Sequence, residues 1–151
     1  LAAAKLLRAS YLKAIPGLSQ LTDEIRRRCK RGEPIRTWGG RLYWVEEPKI
    51  VEGRLWNFDY KMINVLIQGS AGDCTKEAMI RADAALSPKR SRLLLQVHDE
   101  LALSVRRQYV DVEMRRLREA MESVELDVKM LTDGKWSARS WGNLKSYKDK
   151  R

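Results

Sequence analysis

The stretch "LLLQVHDELALSV", residues 93–105, constrains this chain more than any other. Two apolar runs of strand length flank three polar, titratable side chains, His98, Asp99 and Glu100. The continuous run 93–97 is what a strand covered on both sides requires, while 101–105 alternates more weakly. A tight connection must then fall at 98–100. Two-residue hairpin turns favour Asn-Gly or Asp-Gly, because their backbone needs positive φ. His-Asp-Glu is a poor choice on that ground, and two readings stay open. One is a solvated acidic turn. The other is a cation site: adjacent carboxylates on a rigid hairpin can offer Mg²⁺ the one or two protein oxygens it takes, leaving phosphates and waters to complete its octahedron.

The chain has 151 residues, 44% of them hydrophobic, which is enough for one real core. Thirty Lys and Arg face 20 Asp and Glu, a net charge of +10 that directs the protein toward a polyanion, nucleic acid first. Cys29 and Cys74 form no CxxC pair, which argues against a disulfide framework or a thiolate zinc site and fits a reducing, cytoplasmic compartment. No apolar run approaches the roughly 18 residues of a membrane span, and no charged leader precedes an apolar core, so no membrane is expected. The chain opens on Leu1 in full helical stride, without a capping residue, and reads as a piece of something longer.

The Ala- and Leu-rich opening predicts a helix up to Pro16-Gly17. Leu18, Leu21, Ile25 and Cys29 then recur at helical spacing, with Gly32 placed to end that helix. "PIRTWGGRLYWVEEP" reads as strand, Gly39-Gly40 turn and strand, closed by Pro48. From about Leu55 a long helix is expected, with Ile63, Ile67, Ala71, Cys74, Ala78, Ala82 and Ala85 on one small apolar face. After the hairpin at 93–105, Val110, Met114, Leu117, Met121 and Val124 mark an amphipathic helix, and "LDVKML" a last strand. The fold class is α+β, a small antiparallel sheet packed against long helices. The expected division is residues 1–54, two helices and the first hairpin, and residues 55–151, the long helix, the acidic hairpin and the terminal helix and strand.

"QVHDEL", 96–101, resembles motif C of the family A DNA polymerases, the bacterial DNA polymerase I group and its phage relatives. "NVLIQGSAGDCTKEAMI", 64–80, resembles the helix that precedes motif C there, with its Asn-x-x-x-Gln-Gly-Ser/Thr-Ala core. "TWGGRLYWVEEP", 37–48, is similar to the family's Thr-x-x-Gly-Arg hairpin, and "YLKAIPGLSQLTDEI" to the Tyr-Pro-Gly segment beyond the fingers. The likenesses run in family order along nearly the whole chain.

The resemblance implies a role for each matching residue. Asp99 would be one of two aspartates bridging two catalytic Mg²⁺ ions, Glu100 an auxiliary carboxylate there, and His98 a neighbour of the primer 3′ end. Asn64 and Gln68 lie one helical turn apart and so share a face. Amides so placed can donate to minor-groove acceptors that every correct base pair presents alike, and the family carries both positions as DNA contacts. Arg41 would be the hairpin arginine close to the duplex. Many bacterial relatives have an arginine where this chain has Tyr60; Lys61 is the nearest basic side chain.

Two parts of the family's machinery do not appear in the sequence: motif A, Asp-Tyr-Ser-x-x-Glu, which carries the second aspartate, and the fingers helix that binds the incoming nucleotide. "DYKMIN", 59–64, only mimics motif A, since it has no terminal Glu and lies 40 residues before Asp99 (99 − 59), inside the better-matched helix. The resemblance therefore implies the C-terminal palm portion of a DNA-directed DNA polymerase, with motif A and the fingers supplied by a further segment or subunit. Primer–template DNA and deoxynucleoside triphosphates would be its partners, in a bacterial cell or a phage-infected host. A non-catalytic DNA-binding or assembly subunit with a polymerase-like palm is the alternative. A metal-dependent hydrolase would need a further acidic cluster near Asp99, and the sequence has none.

Overall fold

The computed structural model describes residues 2–148. It is α+β, as the sequence predicts, with four helices and four two-stranded antiparallel ladders among the described residues in place of one small sheet. The chain divides into two compact units, Leu1–Ser70 and Ala71–Arg151, and the division falls inside a helix.

In the first unit, α1 (Ala2–Ala14) stops before Pro16, which occupies the first turn of α2 (Pro16–Lys30). Gly32, at φ +70°, closes α2: its N–H reaches the Cys29 carbonyl and the Glu33 N–H reaches that of Arg28, satisfying the last turn of the helix. Ile25 and Cys29 then pack with Ile35 and Met62, and Tyr43, Val45, Ile63, Val65 and Leu66 surround that core. β1 (Ile35–Arg36) pairs with β2 (Leu42–Tyr43) across the predicted turn, where Gly40 adopts φ +87°.

The long helix begins later than expected. Leu55 and Trp56 belong to a second hairpin, β3 (Lys49–Val51) with β4 (Arg54–Trp56). Its turn residues, Glu52 at φ +50° and Gly53 at φ +72°, carry the positive φ at both positions that a tight hairpin demands. A 3₁₀ turn, Asp59–Lys61, leads into α3 (Met62–Ala85). The single stripe predicted for α3 is buried only in part: Ala78 and Ala82 are buried and Ile63 and Cys74 half-buried, but Ile67, Ala71 and Ala85 are exposed. Met62, outside the stripe, joins the first unit's core while Ala82 joins the second's. One helix serving two cores cannot keep one continuous apolar face.

In the second unit, β5 (Ser91–Val97) pairs with β6 (Glu100–Val105), and α4 (Val110–Glu122) covers them together with the end of α3. Ala82, Leu86 and Ala120 form the core, packed by Leu101, Leu103 and Leu117. The apolar run of β5 is not covered on both sides as expected. The register shifts between Leu93 and Leu95, and Leu94 and Leu95 are exposed at 57% and 39%. "LDVKML", 126–131, is not a strand, and Val128, Met130 and Leu131 are exposed. The last ladder forms further on, β7 (Lys135–Trp136) with β8 (Lys145–Ser146). No helix among the described residues is long and apolar enough to cross a membrane.

Candidate active site

The connection between β5 and β6 is a two-residue turn, His98-Asp99, with Val97 paired to Glu100. His98 holds φ +51°, a left-handed conformation that a side chain with a Cβ adopts at some cost. The Gln96 side-chain amide donates to the His98 carbonyl and fastens the turn from its own strand. His98, Asp99 and Glu100 are all exposed, so two adjacent acidic side chains stand in solvent at the end of a paired, internally clamped hairpin. The root of that hairpin is anchored by a buried carboxylate. Glu113 of α4, 0% exposed, accepts from Ser91 Oγ (2.7 Å), the Ser87 N–H (3.1 Å) and Arg116 Nη1 (3.2 Å). Burial pushes its pKa up, but the Ser91 and Ser87 hydrogen bonds and the charges of Arg116 and Arg90 outweigh that and hold it below the ordinary value of 4.5.

In the first unit, Asn64 and Gln68 are exposed on the same face of α3, as their spacing requires. The β1–β2 hairpin is stapled to the helix just beyond them. The Trp38 N–H donates to Ser70 Oγ at 3.0 Å, and Arg41 Nη2 donates to the Gly69 carbonyl at 3.0 Å while its guanidinium lies 5.7 Å from the Tyr43 ring centre. A Cβ at Gly69 would stand 2.8 Å from the Thr37 methyl, so glycine there lets hairpin and helix touch. Asp59 pairs with Arg26 at 3.8 Å, and Lys61 with Glu46 at 2.8 Å while lying over the Phe58 ring. A small cleft lined by Tyr43, Trp44, Glu46, Phe58, Lys61, Met62 and Val65 contains none of the predicted site residues.

Arg41, Asn64 and Gln68 thus belong to the first unit, and His98, Asp99 and Glu100 to the second. Among the described residues no three His, Cys, Asp or Glu side chains gather closely enough to hold a metal ion. Asp99 and Glu100 fit the smaller demand of Mg²⁺, one or two protein carboxylates open to solvent. Gln96, Gly69, Ser70 and Glu113 had no assigned role in the sequence. The first three lie within the matched motifs, which were the only signal for them.

Residues 1–143 match the model of DNA polymerase family A. The chain is 34% identical over 115 residues to DNA polymerase I of Chloroflexus aurantiacus, covering 75% of this chain and 12% of that protein. It is 32% identical over 145 residues to DNA polymerase I of Lactococcus lactis, covering 90% of this chain and 16% of that one. The fold is similar to that of the POL domain of Pol1 from M. smegmatis, solved in complex with DNA primer-template and dNTP. The TM-score is 0.73 at 30% identity, over 85% of this chain and 23% of that one. The chain belongs to DNA polymerase family A. It spans well under a quarter of the length of the two polymerases from Chloroflexus and Lactococcus.

Proposed function

We propose that this chain is the C-terminal palm portion of a DNA-directed DNA polymerase, working with a further segment or subunit that carries motif A and the fingers. The observation that supports it best is the hairpin tip: Asp99, on a turn held by Gln96, and Glu100, the first residue of β6, are both exposed, within a chain of family A. Asp99, helped by Glu100, would hold Mg²⁺ there. When bound with a second aspartate from outside the chain, the metal pair would lower the charge barrier at the attacking and leaving oxygens. The reaction is attack of a primer 3′-hydroxyl on the α-phosphate of a deoxynucleoside triphosphate, forming one phosphodiester bond and releasing pyrophosphate.

The chain's own residues mostly position DNA. Asn64 and Gln68 donate to the minor-groove acceptors of the terminal base pair, a check that depends on pair geometry and not on sequence. Arg41, pinned to Gly69, presents a fixed cation beside the duplex. His98, at the turn next to Asp99, lies against the primer end.

The test is extension of a labelled primer by the assembled polymerase with Asp99→Ala. Extension should fall at least about 100-fold with primer–template affinity within about twofold. Unchanged extension would leave the alternative, a DNA-binding or assembly subunit. This chain alone, given primed template, Mg²⁺ and nucleotides, should extend nothing.

A further inference from the structure

The tail of the described chain carries a feature that the polymerase reading does not use. From Gly134 to Lys148 there are four cationic side chains, Lys135, Arg139, Lys145 and Lys148, and no carboxylate. All four are exposed, and among the described residues none of them is in an ion pair. Two tryptophans are interleaved with them, Trp136 at 38% and Trp141 at 54% exposure. Both indoles are partly open to solvent, so each offers ring surface on which a flat aromatic group can stack.

The segment is built, not loose. Lys135 and Trp136 pair with Ser146 and Lys145, so Trp136 and Lys145 stand directly opposite on one face of the ladder. The connecting loop is held by Ser140 Oγ donating to Asn143 Oδ1 at 2.7 Å, and by the Asn143 and Leu144 N–H groups returning to Ser140 and Trp141. Its root is fixed to α4: Tyr147 Oη donates to Asp111 Oδ1 at 2.9 Å, and Gly134 lies so close to Met114 that a Cβ would stand 2.9 Å from the sulfur.

We infer that the β7–β8 hairpin is a binding platform for single-stranded nucleic acid, with bases stacking on Trp141 and Trp136 and phosphates held by Lys145, on the Trp136 face, and by Arg139 in the connecting loop. Aromatic faces accept any base, and uncompensated cations track a backbone without reading sequence. A duplex keeps its base faces stacked internally and gains only the charge contacts. The choice of nucleic acid over another polyanion rests on the polymerase reading; the choice of this hairpin and of a single strand rests on its own residues.

The test is fluorescence anisotropy of labelled ten-nucleotide oligothymidylate, a ten-base-pair duplex and polyglutamate, each titrated with the full chain. Trp141→Ala should weaken oligothymidylate binding about tenfold or more and leave duplex binding within about twofold. Trp141→Phe, which keeps a stacking ring, should recover most of the loss. Lys145→Glu with Arg139→Glu should weaken single-strand binding and flatten its salt dependence. Far-ultraviolet circular dichroism and a cooperative thermal transition that match the parent show the variants folded. Undiminished single-strand binding by Trp141→Ala, an equal loss on the duplex, or polyglutamate bound as tightly as oligothymidylate would each overturn the platform. An Asp99→Ala enzyme that still extends primers would sink the polymerase reading and leave this titration unaffected.

Discussion

Glu113 illustrates what one residue can settle and why the sequence hid it. In "VDVEMRRLREAME" it reads as one more carboxylate on a charged helix, and the apolar repeat points to Val110, Met114, Leu117 and Met121 as the inner face. Those four are only half-buried. The covered positions are Glu113 and Ala120, each one residue before a member of the predicted stripe, and Val124, which belongs to it. Spacing cannot reveal this, because the partners, Ser87 and Ser91, lie over 20 positions away in sequence. Glu113→Ala should destabilise the fold by about 3 kcal/mol at pH 7, measured by urea unfolding, since it leaves buried donors without an acceptor. The pH dependence follows from the depressed pKa. A carboxylate held below 4.5 contributes stability in full above that value and loses it as pH falls through the lower, folded value. Glu113→Gln should therefore be less stable at pH 7 and show a shallower loss toward pH 3. At the hairpin tip, His98→Gly should raise the melting temperature by relieving a strained φ of +51°, worth about 1 kcal/mol. The place of the reversal, by contrast, was legible directly: two apolar runs leave only 98–100 for it, and the turn is His98-Asp99.

At the scale of elements, helices were the easier reading. Pro16 and Gly32 punctuate α1 and α2 as composition predicts. The β3–β4 hairpin escaped because its turn is Glu52-Gly53: only the second residue signals positive φ, and Leu55 and Trp56 then look like the start of a helix. The last ladder escaped for another reason. "LDVKML" has strand-like residues, yet pairing went to Lys135–Trp136, a strand of two residues with no alternating run to signal it. Between elements, Gly69 is the decisive contact. Gly69→Ala would drive a methyl against Thr37, a 3%-exposed side chain with little room to yield, and should cost about 1–3 kcal/mol. Thr37→Ser removes the opposing methyl and keeps the hydroxyl that accepts from the Arg41 N–H. The double variant should recover roughly 1 kcal/mol relative to the sum of the single changes in a thermal-melt cycle. Additive losses would mean that hairpin and helix are not in contact there.

For the molecule as a whole, charge was the most informative quantity and also the least specific. A net +10 pointed to a polyanion, but motif order, not charge, carried the family. Binding to primer–template should weaken steeply with salt, by about tenfold or more between 50 and 200 mM, if several phosphates are contacted. A flat salt response in a filter-binding series would refute that. The ladders themselves have a practical consequence. Each of the four has only two strands, so no further strand among the described residues pairs with the edges of any of them, and the β5–β6 pair carries exposed leucines. Purified by itself and concentrated, this polypeptide should drift into soluble oligomers and then thioflavin-positive deposits. Lysine at Leu94 or Leu95 would be the first remedy to try at the bench.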